Sequence, residues 1–176
     1  MKHRFARPVT VALAALLTTS SAWSQVTDME FLVVARAIGF IDGLRSGALD
    51  VGVIYTPDNA KSEQQAHEIA ALMGDGRRVG NLVLKPVLLP IDQINSRGVG
   101  LFLLTEGVGS EAQKVASASR TRKIPCITYD LAQVRSGYCT MGVRTSPRIE
   151  VIVNHAAAEA SGTEFAAVFR MMITEI

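Results

Sequence analysis

Short apolar segments alternate with helical segments along most of this chain, and no other feature constrains its fold as strongly. The predicted strands lie at residues 50–55, 82–89, 100–105 and 124–129. The predicted helices lie at residues 28–41, 60–73, 110–120 and 130–134. Strands this rich in aliphatic residues are typical of a sheet covered on both faces. The alternation therefore predicts an α/β three-layer sandwich with a largely parallel sheet.

Capping residues and turn residues refine this prediction. Thr27-x-x-Glu30 is a capping box that begins the first helix, and Pro86 inside residues 82–89 indicates an edge strand or a broken one. Residues 138–143 and 148–153 are typical of an antiparallel hairpin, and Asn154 is suited to cap a short helix. A second capping box, Ser161-x-x-Glu164, predicts a final amphipathic helix. Its expected apolar face is Phe165, Val168, Phe169 and Met172.

The first 24 residues have the pattern of a secretory signal peptide. Lys2, Arg4 and Arg7 precede the apolar run 9–17, and Ala22-Trp23-Ser24 places small residues at a cleavage site before Gln25. A membrane anchor would need about 20 apolar residues, and a buried helix would have to accommodate the basic start. We therefore expect residues 1–24 to be a signal peptide, residues 25–176 to form one domain that does not span the membrane, and the mature protein to be periplasmic.

Charge excludes one class of function. The whole chain has 18 basic and 16 acidic residues, but removal of the leader leaves 15 and 16, a formal charge of −1. The basic residues at 120–123 close a helix, where the helix dipole favours them. Nucleic-acid binding is therefore not expected.

The loop after the third apolar segment is a candidate ligand site. Gly107-Val108-Gly109-Ser110-Glu111-Ala112 fits the glycine-rich dinucleotide fingerprint, and Asp130 follows it at the end of the next strand. Two acidic residues stand where phosphates would bind, so a tight strand-to-helix turn without a nucleotide is the stronger interpretation. A cationic or polar ligand remains compatible with this edge of the sheet. The candidate ligand-binding residues are Thr56, Glu106, Gly107, Gly109 and Asp130.

Cys126 and Cys139 are the two cysteines of the chain. Neighbouring predicted strands carry them, and an even count in an oxidising compartment favours a disulfide. Two separately buried thiols are the alternative, because free cysteine packs as a small apolar side chain.

No set of residues in the sequence indicates catalysis. The mature chain has no G-x-S-x-G motif, and its histidines, His67 and His155, lack partners at metal-ligand spacing. We expect a non-enzymatic protein without a metal or a cofactor.

The order of motifs resembles the YfiR-type periplasmic proteins, small exported α/β regulators of membrane-bound diguanylate cyclases. The resemblance is carried by Ile38-Gly39-Phe40-Ile41, by 124–130 and most specifically by the final segments 137–143 and 148–154. It departs from the family at Asp42-Gly43-Leu44, where members have an aromatic-rich segment, and it lacks the two-bridge cysteine pattern. The resemblance implies a regulatory protein that contacts the outer domain of a membrane protein.

A fainter likeness, in residues 51–59 and 123–125, is to one lobe of periplasmic substrate-binding proteins, and it implies a small-molecule-binding component of a transporter. The regulatory hypothesis predicts that Phe165, Phe169 and Met172 contact a partner, with a homodimer as one option. The alternative for the same apolar face is burial against the sheet.

Overall fold

The computed structural model describes residues 26–44 and 46–176, so the predicted signal peptide lies outside the described residues. Within them, eight strands form one sheet. The strands are β1 (Gly47–Tyr55), β2 (Arg77–Val79), β3 (Leu82–Pro90), β4 (Leu101–Leu104), β5 (Cys126–Thr128), β6 (Met141–Arg144), β7 (Glu150–Val153) and β8 (Thr174–Glu175). Their order across the sheet is β2-β3-β1-β4-β5-β6-β7-β8.

The sheet is mostly parallel, as predicted. Strands β3, β1, β4, β5 and β6 run in one direction, and β6 and β7 form the expected antiparallel hairpin. The short strand β2 pairs antiparallel with β3 at one edge, and β8 pairs parallel with β7 at the other. The α/β class, the parallel centre and the C-terminal hairpin are therefore confirmed.

Helices cover both faces of this sheet. They are α1 (Asp28–Ile38), α2 (Ala60–Met73), α3 (Ala112–Arg122), α4 (Leu131–Arg135), α5 (His155–Ser161) and α6 (Ala167–Arg170). One buried cluster joins α1 and α2 to side chains such as Val51 and Leu103, and a second joins α3 and α4 to Ile54 and Phe102. Because successive side chains of a strand point to opposite faces, these strands supply both cores. The arrangement is the predicted three-layer sandwich.

The first helix starts as predicted and ends earlier. Thr27 Oγ1 accepts from Glu30 N at 3.2 Å, and Thr27 N donates to Glu30 Oε2 at 2.9 Å, which completes the capping box. The helix ends at Ile38 rather than Ile41, because the chain turns at Gly39 and Ile41 forms an isolated β-bridge with Phe165. Ile41 is still buried, which explains its place in the apolar periodicity.

Strand β3 is unbroken although Pro86 lies inside it, and it is at the edge of the sheet only from Lys85 onward, where β2 no longer covers it. It pairs with β1 along its whole length, while β2 covers only Leu82–Leu84 on its other side. Pro86 therefore lies where β3 has a neighbour on one side only. A residue without an N–H is tolerated there, because no second ladder requires it.

The predicted capping box at Ser161 and the long final helix are wrong. Ser161 is the last residue of α5, its Oγ donates to Ala157 O at 2.8 Å, and Gly162 follows in a left-handed conformation with φ of 64°. The helix α6 has four residues and no side-chain cap. The final helix is short because residues distant in sequence pair here. Phe165 forms a β-bridge with Ile41, and the chain then enters β8.

The apolar face predicted at the C-terminal end is divided. Phe165 and Phe169 are buried, and Phe169 stacks on Phe40 with ring centroids 4.8 Å apart. Met172 is 65% exposed, and Val168 and Met171 are exposed beside it. For the two phenylalanines the structure therefore supports the alternative of burial in the core. No helix of residues 26–44 and 46–176 combines the length and the apolar character needed to span a bilayer.

Candidate functional site

The carboxyl ends of the central strands form the candidate site. The chain runs from β1 outward to β3 and then crosses back to β4 on the other side of β1. This reversal makes the gap beyond the carboxyl ends of β1 and β4 a topological switch point, where open α/β sheets bind their ligands. Thr56 follows β1, and Thr105 and Glu106 follow β4.

A buried hydroxyl network closes the switch point. The Thr105 hydroxyl donates to Ile54 O at 2.9 Å and lies 2.6 Å from Ser62 Oγ. Ser62 Oγ also accepts from Thr56 N at 3.0 Å. Because these bonds join β1, β4 and the first turn of α2, the ends of the two strands are held in one geometry.

The loop at Glu106 and Gly107 is fixed by three side chains of the α2 region. Glu106 N donates to Gln65 Oε1 at 2.6 Å, and Lys61 Nζ forms an ion pair with Glu106 Oε2 at 2.7 Å. Asn59 Nδ2 donates to Gly107 O at 2.9 Å, and the same side chain caps α2. Gly107 has φ of 80°, and a Cβ there would come within 2.9 Å of Asn59 Nδ2. The tight turn therefore requires glycine at this position.

The end of β5 is connected to the same edge. Thr128 Oγ1 donates to Gln133 Oε1 at 2.6 Å, and Gln133 Nε2 donates to Thr105 O at 3.3 Å. Asp130 caps α4, since one of its carboxylate oxygens accepts from Ala132 N at 2.9 Å. A carboxylate at a helix N-terminus is favoured by the helix dipole as well as by this bond.

Two adjacent clefts open above these strand ends. The first cleft has a volume of about 470 Å³, and its lining includes Glu106, Tyr129, Asp130, Ala132, Arg135 and Arg144. The second cleft has a volume of about 270 Å³, and its lining includes Gly107, Gly109, Asp130, Ala132, Gln133 and Tyr138. Asp130 and Ala132 therefore form a wall between the two clefts.

Charged groups of both signs line the first cleft. Glu106 is paired with Lys61, whereas the arginines Arg135 and Arg144 both pair with Glu150, Arg135 through a contact of 3.6 Å. Asp130 has no ion pair with any of the residues that the structure describes. The cleft can thus contact cationic and anionic groups of a bound molecule.

Two hydroxyl groups near this edge are buried without a partner. Within the described part of the chain, neither Thr56 Oγ1 nor the Tyr129 hydroxyl has a hydrogen-bond partner. Burial raises the pKa of Tyr129 well above its usual range, and the nearby carboxylate of Glu30 raises it further. Tyr129 therefore keeps its proton. Buried side-chain hydroxyls are hydrogen-bonded in the large majority of cases, so two unpartnered ones at the same edge of the sheet are uncommon.

The predicted disulfide is confirmed, because Cys126 and Cys139 are bonded, with Cα atoms 4.7 Å apart. Cys126 begins β5, and Cys139 lies just before β6 rather than inside it as predicted. The bridge closes a covalent loop over residues 126–139, which contains α4 and most of the lining of both clefts. The cleft wall is therefore anchored covalently at its base.

The glycine-rich loop has the geometry of a tight turn. A 3-10 turn at Gly109–Glu111 precedes α3, and Glu111 pairs with Lys114 at 2.6 Å. Glu106 is engaged by Lys61 at the position where a phosphate would lie. Among residues 26–44 and 46–176, no group of three or more His, Cys, Asp or Glu side chains is placed to hold a metal ion.

Four of the five predicted ligand-binding residues line a cleft. Glu106 lines the first cleft, Gly107 and Gly109 line the second, and Asp130 lines both. Thr56 belongs instead to the hydroxyl network at the switch point. The predicted residues therefore lie at one edge of the sheet, and their role in ligand binding stays a prediction.

Sequence reasoning missed the side chains that complete the site. These are Lys61, Ser62, Gln65, Tyr129, Gln133, Arg135 and Arg144. Ser62 and Gln65 could have been predicted, because both are polar and lie in the first two turns of a helix that follows a strand. Arg144 had no such signal, because its position in the cleft depends on the register of β6 beside β5.

Three solved structures are similar to this chain at low sequence identity. A conserved domain protein from Vibrio cholerae O1 biovar El Tor is 13% identical, with a TM-score of 0.56. The ABC domain of Streptococcus pneumoniae in complex with L-Trp is 12% identical, with a TM-score of 0.58, and both alignments cover 84% of this chain. The ligand-free, open structure of a substrate-binding protein with adhesive properties from Clostridium difficile is 18% identical, with a TM-score of 0.50 and 73% coverage.

This chain spans 59%, 59% and 54% of the lengths of those three structures. No family model matches the sequence, and no curated protein sequence matches it. None of the three proteins is described as a YfiR-type regulator, so that resemblance is not shown. The similarity shows the fold alone: the chain has an α/β fold similar to that of these three proteins, one of which is described as a substrate-binding protein. The fainter of the two resemblances is therefore the better supported.

Proposed function

We propose that this protein is an exported, non-enzymatic binding protein that holds a small polar molecule at the carboxyl edge of its sheet. The observation that carries the proposal is the pair of clefts on either side of Asp130 and Ala132. They lie beside the topological switch point, and hydrogen-bonded side chains at the ends of β4 and β5 hold their base. The Thr105 hydroxyl also bonds to Ile54 O of β1. A cleft of about 470 Å³ has the size typical of a small-molecule site.

The similar structures support the same role. One of them was solved with L-Trp bound, and another is a substrate-binding protein. Free amino acids are therefore the first compounds to test, followed by sugars, polyamines and organic acids.

A thermal-shift screen of the purified protein tests the proposal. A ligand present at 100 times its Kd stabilises the folded state by about 2.7 kcal/mol, which raises the Tm by roughly 5–10 °C for a chain of this length. Calorimetric titration of any hit then gives the affinity and the stoichiometry.

The variant Ala132→Trp makes the test specific to the clefts. Ala132 is exposed on α4 and lines both clefts, so a large side chain there blocks them without entering the core. Ala71→Trp is the matched control, because Ala71 is also exposed on a helix and lines neither cleft. We expect Ala132→Trp to abolish the shift and Ala71→Trp to retain it. The proposal fails if no compound shifts the Tm, or if both variants bind as well as the wild type.

Regulation of a membrane-bound signalling protein, such as a diguanylate cyclase, is the second candidate function. The observation in its favour is that four apolar side chains near the C-terminal end are exposed, those of Val168, Met171, Met172 and Ile176. Exposed apolar surface is typical of protein contacts where it forms a patch. A second copy of the chain is another partner for this surface. Co-purification of a membrane protein with the wild type, and its loss on Met171→Ser/Met172→Ser, would favour regulation over small-molecule binding.

Export through residues 1–24 is part of the main proposal. The Cys126–Cys139 disulfide supports it, because such bonds persist in oxidising compartments and are rare in the cytosol.

A further inference from the structure

The first cleft contains charge of both signs that its internal ion pairs leave uncompensated. Glu106 has its own partner in Lys61, with 2.7 Å between the charged atoms. Arg135 and Arg144 share the single carboxylate of Glu150. Asp130 has no cationic partner in the described part of the chain. One negative charge and one positive charge are therefore left over in the same cleft.

The distribution of exposure shows which groups are available to a ligand. The Glu150 side chain is 21% exposed, whereas the side chains of Arg135 and Arg144 are 54% and 47% exposed. The two guanidinium groups are therefore more accessible to a ligand than the carboxylate with which they pair. Arg135, at 3.6 Å, has the looser contact of the two.

The Asp130 carboxylate is also available to a ligand. Its cap to Ala132 N uses one carboxylate oxygen, so the second oxygen can accept from a ligand. Asp130 also forms part of the wall between the two clefts, which places the carboxylate beside the space a ligand would fill.

We infer that the ligand of the first cleft is a small zwitterion, with its cationic group at Asp130 and its anionic group at Arg135 and Arg144. This inference rests on the proposed function and assigns the chemical class of its ligand. A dianion would leave Asp130 facing like charge, and a dication would face two guanidinium groups. A neutral molecule would leave both charges uncompensated. A zwitterion neutralises each of them with a charge-assisted hydrogen bond.

The test removes one charge of the ligand at a time. The twenty free L-amino acids serve as the first probes, and the tightest binder is compared with its carboxamide and its N-acetyl derivative. The carboxamide lacks the anionic group, and the N-acetyl derivative lacks the cationic group. We expect each derivative to bind at least tenfold more weakly than the free amino acid in calorimetric titration.

Two variants assign the charges to residues. Asp130→Asn keeps a side-chain oxygen to cap α4 and removes the charge, so it should weaken binding of the amino acid at least tenfold and leave the N-acetyl derivative nearly unaffected. Arg144→Gln should show the reverse selectivity, with the carboxamide nearly unaffected. Asp75→Asn and Arg148→Gln are the controls, since both residues are exposed and line neither cleft.

The outcomes distinguish a failure of the inference from a failure of the proposed function. If the tightest binder sensitive to Ala132→Trp is neutral or carries charge of one sign only, the inference fails and the proposed function stands. Equal binding of the amino acid and both derivatives also overturns the inference. If no compound binds in the clefts at all, the proposed function fails, and the inference fails with it. A cleft-bound zwitterion of another kind supports the inference.

Discussion

The carboxyl edge of the sheet and the C-terminal segment, residues 154–176, are held in place by different interactions. At the carboxyl edge, side chains join the strands to each other and to α2. The Thr105 hydroxyl bonds to Ile54 O of β1 at 2.9 Å and lies 2.6 Å from Ser62 Oγ of α2. In the C-terminal segment, backbone groups join distant parts of the chain, with Asp42 N to Glu164 O and Ala166 N to Phe40 O both at 2.9 Å. Stacked and tilted aromatic rings around Phe169 complete that segment.

The carboxyl edge carries the candidate site, whereas the C-terminal segment completes the hydrophobic core. The two clefts lie at this edge and are lined by residues of α4 and of the segments at the ends of β4, β5 and β6. Backbone bridges and aromatic packing bury Phe165 and Phe169 beside α1. Substitutions in the C-terminal segment should therefore change stability, whereas substitutions at the carboxyl edge should change binding more than stability.

The largest expected effect is that of Phe169→Ala. Phe169 is buried against Phe40 and Phe165, and truncation of a buried phenylalanine costs about 3–5 kcal/mol of the free energy of unfolding. Urea denaturation followed by circular dichroism measures the loss. Met172→Ala is the control, since Met172 is exposed and a surface substitution changes stability by about 0.5 kcal/mol or less. A stable Phe169→Ala protein would show that the C-terminal segment is not part of the cooperative core.

An intermediate effect is expected from removal of the disulfide in Cys126→Ala/Cys139→Ala. The bridge joins residues 13 positions apart, and a loop of that length is worth about 3 kcal/mol in the chain-entropy model. The loop contains α4, so we also expect weaker binding in the clefts. Denaturant titration measures the loss of stability, and calorimetric titration with a cleft ligand measures the loss of affinity. Each single variant should lose as much stability as the double variant. A larger loss for the double variant would show that the lost stability does not come from the bridge alone.

The smallest effect is expected from Tyr129→Phe at neutral pH. The hydroxyl is buried without a partner among the described residues, so its removal should leave the free energy of unfolding unchanged or raise it by up to about 1 kcal/mol. A loss of 1 kcal/mol or more would mean that the Tyr129 hydroxyl has a hydrogen-bond partner.

The same variant should respond differently to alkaline pH. Because the folded-state pKa of Tyr129 lies above its ordinary value near 10, the unfolded chain loses the proton first. The wild type should therefore lose stability as pH rises above about 10, and Tyr129→Phe should lack this component of the loss. Denaturation at pH 7 and pH 10.5 measures it, and Tyr138→Phe, which retains Tyr129, should behave as the wild type does.

Sequence reasoning worked where local interactions decide the structure. The bounds of α2 were predicted as observed, because Asn59 caps its start and Gly74 ends it. The Asn154 cap and the hairpin of β6 and β7 were also predicted, from neighbours within a few residues. The placement of Glu106, Gly107, Gly109 and Asp130 followed from one topological rule, that parallel strands end at the same edge.

Sequence reasoning failed where distant residues decide the structure. Ser161 satisfied the capping pattern, but the bridge between Ile41 and Phe165 fixes the backbone that follows it. The shared pairing of Arg135 and Arg144 with Glu150 depends on strand register and on the end of α4, neither of which a local pattern specifies. The burial of the Tyr129 hydroxyl depends on the packing of Tyr129 against the core cluster that includes α1, which no local pattern specifies.

The double role of Asp130 has a consequence for how such a domain diverges. Aspartate, asparagine, serine and threonine all cap helices, so a single substitution among them retains α4. Only aspartate among these four brings a negative charge to the wall between the clefts. Under the proposed function, descendants of this chain can exchange one ligand class for another at this position while the fold is preserved. A substitution at this position can therefore change which ligand is recognised without lowering the stability of the fold.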